Sequence, residues 1–586
     1  MSFAQYLFKR INQKSVGMLI VLLVVTLSYV NTFSNAFVWD DFDTIVNWQA
    51  TRTWASIPTM LAGATPPGHP GNYRPVRNVL YVVSYMLWGQ NPWGYHLQAI
   101  ILAVLMALLV YVITEKLVKR PFAPLITALL FGVHPMHVEA FTWITSSMDM
   151  FGIVFGFGAV AAFLSWRDRP SHWGWYVLTW VLTLLAAFSN EIALTVPMLL
   201  TAIILLIPRY RVRRPVVTMT PLYIPLIVNV FVRAALLHIG ARYIYIGNSF
   251  WKTMLIMGKA LVLYLRLLVF PVGLTIDHSL GGGLTSWAVE LTNPGSRGEH
   301  AVTLLSVSDP MVLLALATLL TIIIMFFVYR KRNPIISLGI AWFGIGMLPV
   351  SNLIPTEAMM TERYALFASF GFCLIVGYVL TKTAILTKIQ MRSSQLLWVT
   401  FILIIGSFSI LTIMRNEDWA NNKTLFASAV ARNPDAYVSR LQLATVYIGE
   451  GNMQAALDQY LIVSKIIPQE PQVDIYIATM YSVMQKYPES VIYFNRALKK
   501  DPWDIESYYR LGNMMKTLKR YDEAIDVYTT GIKLAPNHIA MINNLGVVYS
   551  IEGKYAQAHE LFERALTINP SYESARENLL HLKERN

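Results

Sequence analysis

Residues 16–43 read VGMLIVLLVVTLSYVNTFSNAFVWDDFD and set the plan of the chain. An apolar run from Val16 to about Val30 is followed closely by the carboxylates of Asp40, Asp41 and Asp43. Basic residues precede the run and no small-residue cleavage site follows it, which predicts a retained membrane helix rather than a signal peptide. The bland interpretation of the acidic cluster is a solvated loop that ends the helix. Carboxylates beside hydrocarbon are costly, however, so their position also indicates chemistry.

Composition places most of the chain in a membrane. Of its 586 residues, 55% are hydrophobic and only 14% are charged, against about 25% charged in soluble domains. Most acidic residues come after Asn416, which predicts a membrane domain over residues 1–415 and a soluble domain over 416–586. The net charge of +13 comes mainly from basic residues between apolar segments, so orientation in the membrane explains it better than nucleic-acid binding. The single cysteine, Cys373, excludes a disulfide framework.

Apolar runs of bilayer-crossing length recur along the membrane domain. A helix needs about 20 apolar residues to cross the hydrocarbon core. The sequence predicts eleven spans, near residues 16–33, 93–115, 122–141, 148–166, 173–189, 191–207, 215–238, 311–329, 334–350, 363–381 and 395–414. Residues 251–271 place Lys252, Lys259 and Arg266 on one helical face, which predicts an interfacial or re-entrant helix. Residues 75–89 are expected to form a helix along the outer face.

The basic residues of the loops predict the orientation of the spans. Lysine and arginine favour the cytoplasmic side of a membrane, and here they cluster in every second loop. This alternation predicts a cytoplasmic N-terminus. The acidic stretch and the C-terminal domain are then outside the cytoplasm. The preferred setting is a bacterial inner membrane with the C-terminal domain in the periplasm; in a eukaryote that domain would face the lumen of the endoplasmic reticulum.

The C-terminal domain carries a repeat of 34 residues, marked by Pro434, Pro468, Pro502, Pro536 and Pro570. This period is typical of tetratricopeptide helix pairs. Small residues recur in the first helix of each pair, at Ala444, Ala478, Gly512 and Gly546, and aromatic residues recur in the second, at Phe426, Tyr460, Phe494, Tyr528 and Phe562. The sequence predicts an all-α superhelix of one half repeat, four full repeats and a capping helix, with a concave peptide-binding surface. The alternative is that the repeats only brace the membrane domain.

The predicted outer loops hold most of the ionisable residues near a membrane boundary. Carboxylates for proton transfer and arginines for a phosphate are the groups that an outward-facing transferase needs. The candidate site residues are Asp40, Asp41, Arg74, His134, His137, Glu139, Asp149, Glu191, Asp277, His278, Glu362, Arg363 and Tyr364. His134 and His137 also suggest a divalent metal. Pro135 between them and the lack of a His-Glu-x-x-His pattern favour hydrogen bonding or substrate contact instead.

The order of these motifs is distinctive. Trp39-Asp40-Asp41 is followed by Tyr73-Arg74-Pro75 and by His134-Pro135-x-His137-x-Glu139-Ala140. Phe270-Pro271 leads to Asp277-His278-Ser279, and Leu348-Pro349-x-Ser351-Asn352-Leu353 leads to Glu362-Arg363-Tyr364. Together with the repeats, this order resembles the transmembrane and tetratricopeptide-repeat-containing protein O-mannosyltransferases and their prokaryotic relatives over essentially the whole chain.

The resemblance implies a GT-C fold, a polytopic helical domain that moves a sugar from a polyprenyl-phosphate carrier to an acceptor outside the cytoplasm. It places the acidic pair of the family at Asp40 and Asp41, one of which would act as general base in an inverting transfer. Arg363, and after it Arg74, would bind the donor phosphate. The implied substrates are a lipid-linked, mannose-like sugar and Ser or Thr of a protein held by the repeats, and the transfer requires no cofactor.

Two other classes of function stay open. One is another lipid-linked transferase on the same scaffold, such as an oligosaccharyltransferase or an enzyme that glycosylates lipids or polymers. The other is a non-catalytic membrane scaffold whose repeats recruit partners. A scaffold would not need the acidic pair, Glu139 and Glu362 with Arg363 together on one face.

Overall fold

A computed structural model describes residues 14–67, 73–237, 245–281, 284–286, 308–356, 358–386 and 391–585. The chain forms two compact units, the first ending at Ala436 and the second beginning at Tyr437. The predicted boundary at residues 415/416 differs from this division by one helix, Asn422–Arg432, which belongs to the first unit. Both units are helical, so the predicted all-α class is confirmed.

The first unit consists of helices that are joined mostly by short turns. In chain order they are α1 (Lys14–Tyr29), α2 (Ile57–Leu61), α3 (Pro75–Trp88), α4 (Pro92–Leu117), α5 (Ala123–Gly132), α6 (Val138–Thr142), α7 (Ile144–Asp168), α8 (Gly174–Ala187), α9 (Val196–Leu206), α10 (Pro215–Phe231), α11 (Phe250–Val269), α12 (Pro310–Arg332), α13 (Pro334–Met347), α14 (Leu366–Leu386), α15 (Met391–Asp418) and α16 (Asn422–Arg432).

Short irregular elements lie between these helices. Single 3₁₀ turns are formed by Val30–Ser34, Gln49–Arg52, Trp54–Ser56, Pro135–His137, Glu191–Thr195, Pro208–Tyr210, Ile246–Asn248, Leu348–Val350 and Glu362–Ala365, and π turns by Phe42–Val46 and Val232–Leu236. Two short antiparallel strands, β1 (Ser279–Gly281) and β2 (Leu284–Thr285), form a hairpin. The π turn at Phe42 begins directly after the acidic pair. Such turns are frequent at functional sites.

All eleven predicted spans fall on apolar helices. Among the described residues, seven helices are long and apolar enough to cross a membrane, and an eighth span arises if the bent pair Ala123–Gly132 and Pro135–Thr142 counts as one. The remaining three predicted spans correspond to the shorter helices Gly174–Ala187, Glu191–Leu206 and Pro334–Val350. The chain is therefore a multi-pass membrane protein. The helix predicted for 75–89 is present as α3, and the helix predicted for 251–271 is present as α11, which ends at Val269.

Burial separates the central helices of the first unit from the peripheral ones. In α7, 72% of the apolar window is buried against protein, whereas in α12 only 11% is. Helix α7 is therefore the centre of the bundle, and α12 presents its side chains to lipid. Helices α13 and α14 cross closely at two glycines. A Cβ added to Gly371 would lie 2.2 Å from the carbonyl oxygen of Gly339, so the crossing leaves no room for a larger residue there. Small residues permit this approach of two membrane helices.

The second unit is a row of helix pairs, which confirms the predicted repeats. The pairs are α17 (Tyr437–Gly449) with α18 (Met453–Ile466), α19 (Pro471–Val483) with α20 (Tyr487–Lys500), α21 (Ile505–Thr517) with α22 (Tyr521–Leu534), and α23 (Ile539–Ile551) with α24 (Tyr555–Ile568), followed by α25 (Glu573–Arg585). A Cβ on Gly512 would lie 2.4 Å from the ring of Tyr528, and one on Gly546 would lie 2.7 Å from Phe562. The repeated small residue therefore makes room for the aromatic ring of its own pair.

Candidate active site

The acidic stretch 37–43 is fixed in place by Asp41. Its carboxylate is fully buried and accepts hydrogen bonds from the Val38 N–H at 2.9 Å, the Thr145 N–H at 2.7 Å and the Thr145 hydroxyl at 2.6 Å. Thr145 lies in the first turn of α7, where backbone N–H groups lack partners within the helix. Asp41 therefore attaches the loop to the start of the central helix.

Burial sets the charge state of Asp41. It raises the pKa of this carboxyl from 3.8 to about 6, against the opposing effect of the hydrogen bonds from Thr145 and Val38. The carboxylate is thus ionised at neutral pH but costly to keep in the fold. The hydrogen bonds that Asp41 accepts hold the loop in one conformation.

Asp40 has a different environment from its neighbour. Its side chain is only partly buried, and its carbonyl oxygen accepts hydrogen bonds from the Thr44 N–H at 2.9 Å and the Thr44 hydroxyl at 2.8 Å. The preceding Trp39 has a φ of 51°, which is uncommon for a residue with a side chain. Its N–H donates to Asn422 Oδ1 at 2.8 Å, which helps to hold this conformation. Strained backbone of this kind often marks functional sites.

An aromatic stack extends from the loop into the first unit. Trp39 stacks on Trp143 at 5.1 Å between ring centroids, and Trp143 stacks on the fully buried Trp419 at 5.8 Å. The guanidinium of Arg363 lies over the Trp143 ring, 4.7 Å from its centroid, in a cation–π arrangement. This stack brings Arg363 and the acidic loop to the same aromatic group, although they are more than 300 residues apart in sequence.

A buried network of charges surrounds Arg363. Arg363 pairs with Glu139, which also accepts a hydrogen bond from the Glu362 N–H at 2.9 Å. Glu362 is fully buried and accepts hydrogen bonds from the Thr275 N–H at 2.6 Å and from His278 at 3.1 Å. Buried charges require such partners, so Glu139, His278, Glu362 and Arg363 form one structural group.

The network continues towards α16. Arg415 lies 3.6 Å from Glu362 and donates to Asp418 at 2.8 Å. Asp418 in turn pairs with Arg432 at 2.6 Å. Nearby, the carbonyl oxygen of Asp277 accepts a hydrogen bond from Asn433 at 2.8 Å. The predicted residues 277 and 278 are therefore connected to the helix that ends the first unit.

A second group of charges, the arginine cluster, consists of Arg74, Arg77, Arg233, Asp149 and Glu191. Arg74 donates to both oxygens of Asp149 at 2.8 Å and pairs with Glu191 at 2.6 Å. Arg77 donates to Asp149 at 3.0 Å, and Arg233 donates to Glu191 at 2.6 Å. Burial lowers the pKa of Arg74, but the charges of Asp149 and Glu191 outweigh burial and hold it above its usual range.

The arginine cluster lies close to the acidic loop because of the period of α7. Thr145, which binds Asp41, and Asp149, which binds Arg74 and Arg77, are four residues apart on the same helix. Residues at this spacing lie on one face of a helix. The central helix thus aligns the acidic pair with the arginines.

The two predicted histidines are part of the packing. The ring nitrogens of His134 lie against the Leu268 carbonyl at 3.0 Å and the Met136 N–H at 3.3 Å. Those of His137 lie against the Phe131 carbonyl at 2.7 Å and the Ser369 hydroxyl at 2.9 Å. All four nitrogens therefore have protein partners. Within the described part of the chain, no three His, Cys, Asp or Glu residues are grouped closely enough to hold a metal.

Several residues of the candidate site were missed in the sequence. Arg233 falls inside a predicted span, where its charge near the end of an apolar run was the available signal. Trp143, Thr145 and Trp419 carried no such signal, since their contacts depend on packing between distant segments. Tyr364, which was predicted, has its ring 5.3 Å from the guanidinium of Arg363.

Comparison with known proteins gives two kinds of match. The tetratricopeptide-repeat family model matches residues 503–571. Protein O-mannosyl-transferase Tmtc1 of Drosophila melanogaster is 24% identical over 509 residues, which cover 73% of this chain and 59% of the relative. Protein O-mannosyl-transferase TMTC3 of Mus musculus is 24% identical over 528 residues, which cover 82% and 54% of the two chains. The chain spans about half to two thirds of the length of such relatives.

Solved structures match a smaller share of the chain. One is YrrB, described as a tetratricopeptide-repeat protein with an unusual peptide-binding site, which is 18% identical with a TM-score of 0.25 and covers 35% of this chain and 97% of its own. Over most of its length, therefore, the chain is related to the transmembrane and tetratricopeptide-repeat-containing protein O-mannosyl-transferases, as its motifs predict, and its C-terminal part carries tetratricopeptide repeats.

Proposed function

We propose that the protein is a membrane glycosyltransferase that moves a mannose-like sugar from a polyprenyl-phosphate carrier to a Ser or Thr hydroxyl of a protein, on the extracytoplasmic face. One observation carries this proposal: the acidic loop is fixed by Asp41 to the same helix whose next turn binds the arginine cluster. Helix α7 thereby aligns a base with an anion-binding group. The relatives are named protein O-mannosyl-transferases, and this is the basis for the choice of mannose.

Asp40 is the proposed general base. Asp41 is fully buried and accepts three hydrogen bonds, so a substrate hydroxyl cannot reach it without displacing the loop. Asp40 is partly exposed on the same loop, directly after Trp39 in the sequence. The carboxylate takes the proton of the acceptor hydroxyl while the hydroxyl oxygen attacks the anomeric carbon of the sugar. The bond from that carbon to the phosphate oxygen of the donor breaks, so polyprenyl phosphate leaves and the configuration is inverted. No cofactor is needed for this chemistry.

The arginine cluster is the proposed site of the donor phosphate. Three guanidinium groups face two carboxylates, which leaves one positive charge among the described residues of the cluster. Arg233 Nη1 donates to none of these residues, and the Arg233 side chain is 19% exposed. A partly buried, uncompensated positive charge favours an anion, and a phosphodiester supplies one. Arg363 is paired with Glu139 and placed over Trp143, so we assign it to the support of the acidic loop.

The test uses purified protein, a polyprenyl-phosphate mannose donor and a Ser/Thr peptide, with mass spectrometry of the peptide. Wild-type protein should add one hexose. Asp40→Asn should lower turnover by about 10²–10⁴-fold, the usual contribution of a general base, with little change in donor affinity. Hexose transfer that survives Asp40→Asn would refute the assignment. Transfer only from an oligosaccharide donor, or only to lipid, would favour the other transferases on this scaffold.

A further inference from the structure

Basic side chains gather at the end of α7 that is remote from the acidic loop. Asp168, the last residue of α7, accepts hydrogen bonds from Lys116 of α4 at 2.9 Å and from Arg209, in the turn after α9, at 2.7 Å. At about 1.5 Å per helical residue, Asp168 lies about 35 Å from Thr145, which binds the acidic loop. This distance exceeds the hydrocarbon thickness of about 30 Å, so the two groups lie on opposite sides of the membrane.

The turn between α9 and α10 is held against the ends of the neighbouring helices. The hydroxyl of the buried Tyr210 donates to the carbonyl oxygen of Lys116 at 2.9 Å. Arg167 donates to the carbonyl oxygen of Arg211 at 2.8 Å. These bonds place the arginines of the turn beside those at the end of α7. The cations brought together, here called the basic face, are Lys116, Arg167, Arg209, Arg211, Arg213 and Arg214.

The basic face carries an excess of positive charge. Its carboxylate partner, Asp168, already pairs with Lys116 and Arg209. The other four cations form no ion pair within the described ranges of the chain, and the three that directly precede α10 are exposed. Like charges at this density repel one another, so the basic face favours a bound anion.

Orientation in the membrane does not account for the type of basic residue found here. The positive-inside rule counts lysine and arginine alike. Between Arg120 and Lys252, however, the sequence contains arginine but no lysine. A guanidinium donates two parallel hydrogen bonds to a phosphate, whereas an ammonium acts as a point charge. The composition of the basic face therefore favours a phosphate.

Apolar side chains continue directly from the basic face along α8 and α10. Val216 and Val217, in the first turn of α10, are 76% and 66% exposed, and Trp173, just before α8, is 64% exposed. The two helices are joined here, since the Tyr176 hydroxyl donates to the carbonyl oxygen of Thr218 at 2.7 Å. An exposed tryptophan at this level is typical of a membrane interface. The surface thus changes from guanidinium groups to apolar side chains within one helical turn.

We propose that the basic face binds the headgroup of an anionic phospholipid. The phosphate lies among Arg211, Arg213 and Arg214, and the acyl chains lie along the exposed side of α8 and α10. A soluble phosphate would contact only the first of these surfaces, so the apolar continuation favours a lipid. Anionic lipids attract basic segments beside a membrane helix in this way. The site is separate from the arginine cluster and does not depend on the proposed activity.

Native mass spectrometry of the full-length protein in detergent measures the binding of individual lipids. The protein is titrated with phosphatidylglycerol, with phosphatidylcholine and with glycerol phosphate, a soluble anion. One phosphatidylglycerol should bind about tenfold or more tightly than phosphatidylcholine, and an equal concentration of glycerol phosphate should not displace it. Equal affinity for the two lipids would overturn the proposal. Displacement by glycerol phosphate would indicate a site for a soluble anion and would overturn it as well.

Two sets of substitutions test the location of the site. Arg211→Gln with Arg213→Gln and Arg214→Gln should weaken phosphatidylglycerol binding by about tenfold or more. Replacing the same three residues by lysine keeps the charge, which protects against misfolding of the glutamine variant. The lysine variant should bind about threefold or more weakly than the wild type, because lysine does not donate paired hydrogen bonds to the phosphate. Wild-type affinity in either folded variant would overturn the proposal.

The matched control removes as many basic side chains from another helix end. Arg330→Gln with Lys331→Gln and Arg332→Gln alters three exposed residues in the last turn of α12, and phosphatidylglycerol should bind this variant as it binds the wild type. All variants are purified in detergent, so a change of orientation in the membrane does not affect the measurement. Unfolding midpoints in detergent without added lipid confirm that each variant is folded. Equal weakening in the control would show general attraction to positive charge and would overturn the proposed site.

Discussion

Replacing Asp41 by asparagine separates the position of the acidic loop from its charge. The carboxylate accepts two hydrogen bonds from Thr145 on one oxygen and one from Val38 on the other. Asparagine keeps one oxygen for Thr145 but turns its NH₂ group towards the Val38 N–H. The lost bond to a charged group costs about 1.5–3 kcal/mol, and the unpaired N–H costs about 1–3 kcal/mol more.

The substitution also removes an unfavourable buried charge. Burial raises the pKa of Asp41 from 3.8 to about 6, and this difference corresponds to about 3 kcal/mol against the ionised form in the fold. The two effects oppose each other. The free energy of unfolding of Asp41→Asn should therefore fall by no more than about 3 kcal/mol.

Turnover should respond much more than stability. The repulsion at Val38 moves the loop that carries Trp39 and Asp40, and a displacement of about 1 Å at a catalytic group can cost about 100-fold in rate. The measurements are thermal unfolding of purified protein and hexose transfer to a peptide. Asp43→Asn is the matched control, because Asp43 is exposed on the same loop and should change neither quantity. Near-normal turnover in Asp41→Asn would refute the role of Asp41 in positioning Asp40.

The pH dependence of stability gives a second check on the same residue. Because the folded pKa of Asp41 lies above 3.8, its protonated form stabilises the fold; this contribution is complete below about pH 3.8 and is lost as the pH rises through about 6. Asparagine does not titrate in this range. The stability difference between wild type and Asp41→Asn should therefore widen as the pH falls from 8 to 5. Unfolding midpoints across this range that keep a constant difference would contradict the burial argument.

Two further predictions concern the phosphate site and the orientation. Arg233→Leu should raise the KM for the lipid donor about tenfold or more, with a smaller effect on kcat, because it removes the positive charge that the cluster leaves uncompensated. Arg332→Leu, at the end of α12, is the control. An unchanged KM for Arg233→Leu would show that the donor phosphate binds elsewhere. A reporter that is active only in the cytoplasm should be silent when fused after Asn586, and strong activity would overturn the orientation.

Features with a fixed period or length were predictable from the sequence. The interval of 34 residues predicted the helix pairs, because each repeat must bury the same small and aromatic positions, such as Gly512 and Tyr528. Apolar length predicted the positions of apolar helices at all eleven places. It did not predict that three of them form short helices, because helix ends depend on local turns such as Glu191–Thr195.

The internal organisation of the site was less accessible to sequence reasoning. The acidic pair was visible as a motif, but the burial of Asp41 depends on Thr145, which lies 104 residues further along the chain. Arg233 was hidden in a predicted span, and only its contact with Glu191 shows its place in the arginine cluster. The order of the motifs in the sequence identified the segments that form the candidate site. Three-dimensional packing decided which side chain in each segment is buried and which can meet a substrate.

Residues near the end of the first unit hold the acidic loop in place. The Trp39 N–H donates to Asn422 in the first turn of α16, and Trp419 completes the aromatic stack on Trp143. The Ala36 N–H also donates to the carbonyl oxygen of residue 420, at 2.9 Å. Helix α16 therefore packs with the membrane domain, although its sequence belongs to the repeat pattern.

Two truncations follow from this arrangement and should behave differently. A chain that ends at Ala436 keeps every contact of α16 with the loop and forms one compact unit, so it should still transfer sugar to a short peptide supplied in excess, while transfer to a full protein acceptor falls.

A chain that ends at Asp418 loses a fully buried tryptophan, Trp419, whose removal alone costs about 3–5 kcal/mol, together with the anchor of the loop. It should insert into the membrane but lose both activities. If the chain ending at Asp418 still transfers sugar to the peptide, α16 does not hold the acidic loop. If the chain ending at Ala436 loses both activities equally, the repeats support the membrane domain rather than the acceptor.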